Sequence, residues 1–307
     1  MADDEARVRV RVLQWIVNTR NLFPEATETK HLETVAAPYL ALLPPPDRAS
    51  ALKYLFPRDA KLSLASSLLK RHAISVTASP TLPWSAITPT RDAQGKPVFV
   101  SADGSSPVSF NVSHQDGLVA LFGVAGCPAD VGVDVVSCTE RQVRDREAVR
   151  AGGWPAFVDV YESVYSTGEM AYLKSLDGRG LGIDQKLRYF YALWCLKEAY
   201  VKMTGEALLA DWLLSLEFRN FHPPAPVAAP MAGGDLSLGE VVREIEVFRD
   251  GKRDAAVRME LRSLGAGYMV GVAVRTPERV ADAFDLDLGD FEFVTLEEIR
   301  ERAEGNP

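Results

Sequence analysis

The stretch "YFYALWCLKEAYVKMTG", residues 189–205, has the apolar content of a buried helix, yet it carries Lys197, Glu198 and Lys202 among its aromatic and aliphatic residues. Residues four apart share a helix face, so Trp194, Glu198 and Lys202 form one stripe and Lys197 sits to one side. Taken alone, Glu198 and Lys202 read as a solvated surface pair worth about 0.2–0.5 kcal/mol. The neighbours argue otherwise. Phe190, Trp194, Ala199, Tyr200 and Val201 leave little of the circumference for water. Charges held in such surroundings need partners, and a metal ion or a phosphate qualifies.

Downstream, a Pro/Ala-rich loop from His222 to Gly234 leads into "REIEVFRDGKRDAAVRMELRSLGAGYMVGVAVRT". Asp250-Gly251 and the run Gly265 to Gly267 mark turns between three expected strands. Upstream the order is similar. Arg and Val alternate from Ala6 to Val12, predicting a first strand; Pro44 to Pro46 then break the chain. Leu52, Leu55, Phe56, Leu62, Leu64, Leu68 and Leu69 next supply a helical apolar face. A short strand is expected near "KPVFV", and "SFNVSHQDGLVALFGVAG" reads as a hairpin turning at Asp116-Gly117. "VGVDVV" is a further strand. A helix followed by an antiparallel meander, occurring twice, predicts an α+β fold of two similar halves, residues 1–130 and 131–307. Thr295 with Glu298 resembles a capping box and predicts a short helix from Thr295 to Ala303 ahead of a frayed end.

At 307 residues and 47% hydrophobic content, the chain can bury a core without staples. Cys127, Cys138 and Cys195 are odd in number and widely separated, which suggests neither a disulfide framework nor a zinc site and suits a reducing compartment. The first twenty residues lack the apolar core of a signal peptide, and no run reaches bilayer-spanning length. The expected location is the cytoplasm. A net charge of −8 argues against a broad nucleic-acid surface.

Single residues elsewhere carry weaker signals. Asp134, between valines in a strand, faces either solvent at a sheet edge or something cationic, and alone favours the edge. Ser113-His114 reads first as a polar pair at a strand end. Lys96 follows Gly95 in a turn whose amides and cations could receive an anion, but Gly-Lys alone is too short for a Walker loop. The four histidines lack metal-ligand spacing.

Taken in order, "GKPVF", "FNVSHQ", "GVDVV" and "WCLKEAYVKMTG" resemble the signature series of the surfactin-type phosphopantetheinyl transferases. "FPRDAKLSLASSLLK" is similar to the eukaryotic branch, which includes the human aminoadipate-semialdehyde dehydrogenase phosphopantetheinyl transferase and its fungal relatives. The resemblance spans roughly residues 45–275. It implies a pseudo-twofold monomer of two α+β halves, each an antiparallel sheet packed with helices, with coenzyme A bound between them. The implied reaction moves 4′-phosphopantetheine from coenzyme A to a serine of an apo carrier protein, releasing adenosine 3′,5′-bisphosphate and using Mg²⁺, or Mn²⁺ in its place.

The resemblance assigns Asp134 and Glu198 as acidic metal ligands and Lys202 as the diphosphate contact. Asn111, Ser113 and His114 fall on the nucleotide-lining segment, with His114 near the 3′-phosphate. Arg91, Gly95 and Lys96 match the turn that holds adenine and phosphates, and Arg48 is a further phosphate contact. Bacterial members have a second acid two residues after the first, where this chain has Val136; water can complete an octahedral Mg²⁺ shell. Glu198, through its non-ligating oxygen or a water that it orients, is the expected base. Residues 160–176 lie where the resemblance places a carrier-facing segment, and read equally as an ordinary amphipathic helix. The implied carriers belong to fatty-acid synthase, polyketide synthase, nonribosomal peptide synthetase or aminoadipate reductase; neither nucleic acid nor membrane is an expected partner. Two rivals are a thiol hydrolase using Cys195, His114 and Asp134, and a catalytically inactive coenzyme A- or carrier-binding module.

Overall fold

The computed structural model describes residues 10–206, 210, 212–227, 236–278 and 281–305. In chain order the principal elements are strand β1 (Arg11–Asn18), helices α1 (Pro45–Leu52) and α2 (Pro57–Thr77), strands β2 (Val108–Gln115), β3 (Leu118–Ala125) and β4 (Asp130–Ser137), and helices α3 (Thr167–Ser175) and α4 (Ile183–Thr204). Strands β5 (Leu216–Arg219), β6 (Leu238–Val242), β7 (Glu246–Arg249), β8 (Arg258–Leu264), β9 (Tyr268–Arg275) and β10 (Glu292–Phe293) follow, and helix α5 (Leu296–Glu304) closes the chain. The chain divides into two units, Met1–Val131 with Thr276–Pro307, and Gly132–Arg275.

In the first unit the sheet order is β10-β1-β3-β2. Asp116 and Gly117, at φ 47° and 82°, supply the two left-handed residues that a two-residue hairpin requires between β2 and β3. Helix α2 starts at Pro57, where a missing amide hydrogen costs nothing. It buries Leu62, Leu64, Leu68, Leu69 and Ile74 in a core shared with Phe110 of β2 and Val119 and Leu121 of β3. Strand β1 begins at Arg11, and the buried run Leu13–Val17 holds it in the sheet. The Arg/Val alternation expected to form the first strand lies mostly in residues 1–9, outside the described residues.

The tail corrects the expected partition into 1–130 and 131–307. After Thr276 the chain returns to the first unit: β10 pairs in parallel with β1 through Trp15↔Glu292 and Ile16↔Phe293. Leu296, Ile299 and Ala303 of α5 join the same core as α2. The Thr295–Glu298 capping box forms, so the amide hydrogens at the α5 N-terminus are satisfied.

In the second unit the sheet order is β4-β9-β8-β6, with β8 and β9 antiparallel. Helix α4 packs on β9 and β8, and ends where Gly205 takes φ 80°. A smaller sheet joins β5 to β7, which turns at Asp250-Gly251 into Lys252-Arg253. Each unit thus runs strand, long helix, hairpin, with the second hairpin strand beside the first strand: β1, α2, β2–β3 and β4, α4, β8–β9. This is the expected α+β class with two similarly ordered halves. Among the described residues, no helix is long and apolar enough to cross a membrane.

Candidate active site

Two glycines decide how closely α4 can lie on its sheet. A Cβ at Gly132 of β4 would collide with the Ala199 carbonyl oxygen and the Met203 amide nitrogen, and one at Gly271 of β9 would meet Cys195 Sγ at 3.1 Å. Side chains on a strand alternate, so Asp134 shares Gly132's face and points at the same helix. There Lys202 Nζ lies 2.6 Å from Asp134 Oδ1. Asp134 is only 6% exposed although β4 is an edge strand, so the solvent-facing reading of this carboxylate is wrong.

Glu198 lies partly buried four residues before Lys202 on α4. Burial, and then the nearby Asp134 carboxylate, raise its carboxyl above the usual range, against the pull of Lys202. Two carboxylates that repel one another, on a strand and a helix held together by glycine, are a hard-oxygen donor pair suited to a divalent cation such as Mg²⁺. Among the described residues there is no group of three or more His, Cys, Asp or Glu able to hold a metal.

Lys197 faces elsewhere. It is fully buried and donates to Glu169 Oε2 at 2.9 Å and to the carbonyls of Leu216 and Leu213 at 2.7 and 3.2 Å. Glu169 also accepts from the Ser166 and Phe218 amides at 2.9 and 3.0 Å. Burial pushes the Glu169 carboxyl up and the Lys197 ammonium down, and their mutual attraction opposes both shifts. The helix therefore splits its charges between two sides, one interior and one toward β4.

The first unit has a polar cavity of about 360 Å³. Lys53, Lys70, Arg91 and His114 line it with Tyr54, Asp47 and the serines of α2. Burial, and then the Arg91 guanidinium, hold the Lys70 ammonium below its ordinary range, while Asp47 draws it back. A concave site with this many cations suits a phosphorylated ligand. Of the residues singled out in sequence, Arg91 and His114 line this cavity.

The remaining candidates lie differently. On β2, Asn111 and Ser113 alternate with His114 and point to the opposite face; both are buried, and Asn111 Oδ1 has no hydrogen-bond partner. Arg48 of α1 donates to the Leu40 and Leu43 carbonyls at 3.1 and 3.3 Å and lines a separate groove with Leu40 and Leu52. Gly95 takes φ 84° in a turn organised by Asp92, which accepts from the Gln94 and Lys96 amides. Those amides are occupied, so the turn offers an anion less than its sequence suggested. Arg91 closes it by donating to the Gly95 carbonyl at 2.6 Å.

Sequence reasoning missed Lys53, Lys70, Tyr54 and the serines of α2. A signal was present: Ser63, Ser66, Ser67 and Lys70 recur at helical spacing between buried leucines, a polar stripe on an otherwise interior helix. The thiol-hydrolase rival fails on burial. Cys195 is fully enclosed, its S–H donates to the Asp134 carbonyl, and burial raises the thiol well above its usual range. In the segment 160–176, Tyr165, Met170 and Leu173 lie in the second unit's core.

The second unit thus presents an acid pair with an attendant lysine, suited to a divalent cation, and the first unit a cation-lined cavity, suited to a phosphorylated ligand. Residues 32–126 match the family described as 4′-phosphopantetheinyl transferase, N-terminal, and residues 130–239 match the 4′-phosphopantetheinyl transferase superfamily. The chain is 43% identical to 4′-phosphopantetheinyl transferase 1 of Fusarium mangiferae, over 94% of each chain. It is 35% identical to the 4′-phosphopantetheinyl transferase of Aureobasidium melanogenum, over 85% of this chain and 90% of that one. Identity to the human L-aminoadipate-semialdehyde dehydrogenase-phosphopantetheinyl transferase is 27%, over 76% of this chain and 67% of the human one. The chain belongs to the 4′-phosphopantetheinyl transferase family. It is a transferase that moves phosphopantetheine to carrier proteins, with coenzyme A as its substrate.

Proposed function

We propose that Asp134, Glu198 and Lys202 carry out the transfer, and that the Lys70, Arg91 and His114 cavity holds the 3′-phosphate end of coenzyme A. The observation that carries this reading is the meeting of Asp134, Glu198 and Lys202 on one face of α4. Mg²⁺, or Mn²⁺ in its place, would be held by Asp134 and Glu198 and would neutralise charge on the diphosphate. Lys202 offsets the charge that grows on the leaving group. Glu198 accepts the proton of the attacking serine; its raised carboxyl affinity for protons suits a base that is restored on product release. The serine oxygen forms a bond to the β-phosphorus, next to the pantetheine arm, as the bond to the bridging oxygen breaks. Adenosine 3′,5′-bisphosphate leaves with the electron pair.

The acceptors we assign are carrier domains of fatty-acid synthase, polyketide synthase, nonribosomal peptide synthetase and aminoadipate reductase. The name of the human relative, which carries L-aminoadipate-semialdehyde dehydrogenase, supports the last of these acceptors. We assign a monomer, and a cytoplasmic location in keeping with the three free thiols.

The test is intact mass spectrometry of an apo carrier protein incubated with the protein, coenzyme A and Mg²⁺. The expected result is a mass gain of one phosphopantetheine arm that EDTA abolishes. Glu198→Gln should lower turnover by about 10²-fold or more while coenzyme A still binds. Coenzyme A binding with no transfer to any carrier class would instead leave a binding module.

A further inference from the structure

We propose that the buried pair Lys197–Glu169 is a positioning device for the transfer reaction, setting the rotation of α4 that points Glu198 and Lys202 at Asp134. The proposal rests on the roles assigned above to those three residues.

Lys197 and Glu169 are each fully shielded from solvent. A buried ion pair is a poor source of stability, because desolvation cancels most of the attraction and apolar residues of similar volume often do as well. What an apolar pair lacks is direction. All three ammonium hydrogens of Lys197 have acceptors: the Glu169 carboxylate on α3, and the Leu213 and Leu216 carbonyls. Glu169 is fixed in turn by the Ser166 amide, which it caps, and by the Phe218 amide of β5. The pair thus ties α4 at one residue to two other elements and the segment between Leu213 and Leu216.

The point of attachment matters because of where it sits on the helix. Ala199 faces Gly132 and Cys195 faces Gly271, so these contacts set the distance of α4 from its sheet. Lys197 is two residues from each, about 160° away around the axis at 100° per residue. One side of the helix fixes its approach, and the opposite side fixes its rotation. Glu198 is the next residue in the chain and moves with any such rotation. For a side-chain group about 5 Å from the axis, a turn of about 20° displaces it by nearly 2 Å. A misplacement of about 1 Å can reduce a rate by about 10²-fold.

The test compares the wild type with E169L/K197M, which replaces the pair by apolar groups of similar size, in steady-state transfer to an apo carrier protein. Wild-type turnover is measured first; its absence would overturn the transferase roles and, with them, this proposal. The expected result for E169L/K197M is cooperative thermal unfolding, KM values for coenzyme A and carrier within about threefold of wild type, and kcat lower by about 20-fold or more. A folded double variant with kcat within threefold of wild type would overturn the proposal and leave the pair a stability element. If E169L/K197M does not fold, E169Q decides by the same split. It keeps one acceptor for Lys197 and is expected to lower kcat by about five- to tenfold at unchanged KM; unchanged kcat, or a rise in KM alone, overturns the proposal.

Discussion

His114 illustrates what one residue's place on a strand decides. Its neighbours Asn111 and Ser113 are equally polar and belong to the same stretch of sequence, but β-strand alternation turns only His114 toward the cation-lined cavity. Lys70 reaches that cavity from α2. With the 3′-phosphate held there as proposed, a charge-assisted hydrogen bond of about 1.5–3 kcal/mol makes loss of either side chain weaken its binding by about tenfold or more. His114→Ala and Lys70→Ala are therefore expected to raise the KM for coenzyme A by at least that factor and to change use of 3′-dephospho-coenzyme A by less than about threefold. Steady-state kinetics with both donors checks it, and equal losses would remove the phosphate from this cavity. Residue types in sequence say little of a side chain's environment. Asp134 favoured an exposed edge because valines on either side say nothing of the lysine that meets it from a helix 68 residues later.

At the scale of elements, the approach of α4 to β4 depends on the absence of one side chain. Adding a methyl at Gly132 would drive it into the α4 backbone, which cannot yield as a flexible side chain can. Overpacking of this kind costs about 1–3 kcal/mol. Gly132→Ala should lower unfolding stability by that amount and reduce kcat more than coenzyme A affinity, since it lifts Glu198 and Lys202 from Asp134. Denaturant titration and transfer kinetics on the same preparation check both, and wild-type values in both would mean that the helix has room. The elements themselves were legible where local chemistry is decisive: the Asp116-Gly117 and Asp250-Gly251 turns, the Thr295 capping box, and the Gly205 stop all form. Lys197 was not legible as an interior residue. Helical spacing places it off the Glu198 stripe, but its partner Glu169 is held in place by β5 and by its own capping box, neither of which periodicity reveals.

For the whole molecule, the chain's ends meet in one sheet, and this gives the first unit a titratable interior. The parallel pairing of β10 with β1 and the docking of α5 on α2 are long-range events that no local pattern announces, which is why the tail was expected to stay with the second half. His72 of α2 lies within this junction. Its ring centroid is 4.9 Å from that of Trp15 on β1, its Nδ1 is buried without a hydrogen-bond partner, and Arg302 and Glu298 of α5 are the charges that act on it. Burial, and then Arg302, lower its pKa from the ordinary 6.5 to about 4, with Glu298 opposing. The folded state thus holds a neutral imidazole where the unfolded chain takes up a proton below about pH 6.5. Stability from this site is present above pH 6.5 and is lost as pH falls toward 4, because the unfolded state binds the proton more tightly. Between pH 7.5 and 5 the loss from these two pKa values is about 2 kcal/mol. His72→Leu removes the titration and fills the same space with apolar atoms, so it should match or exceed wild-type stability at pH 7.5 and lose about 2 kcal/mol less on going to pH 5. Urea unfolding of both proteins at the two pH values measures the difference directly, and parallel acid slopes would show that His72 is protonated as readily inside the fold as outside it.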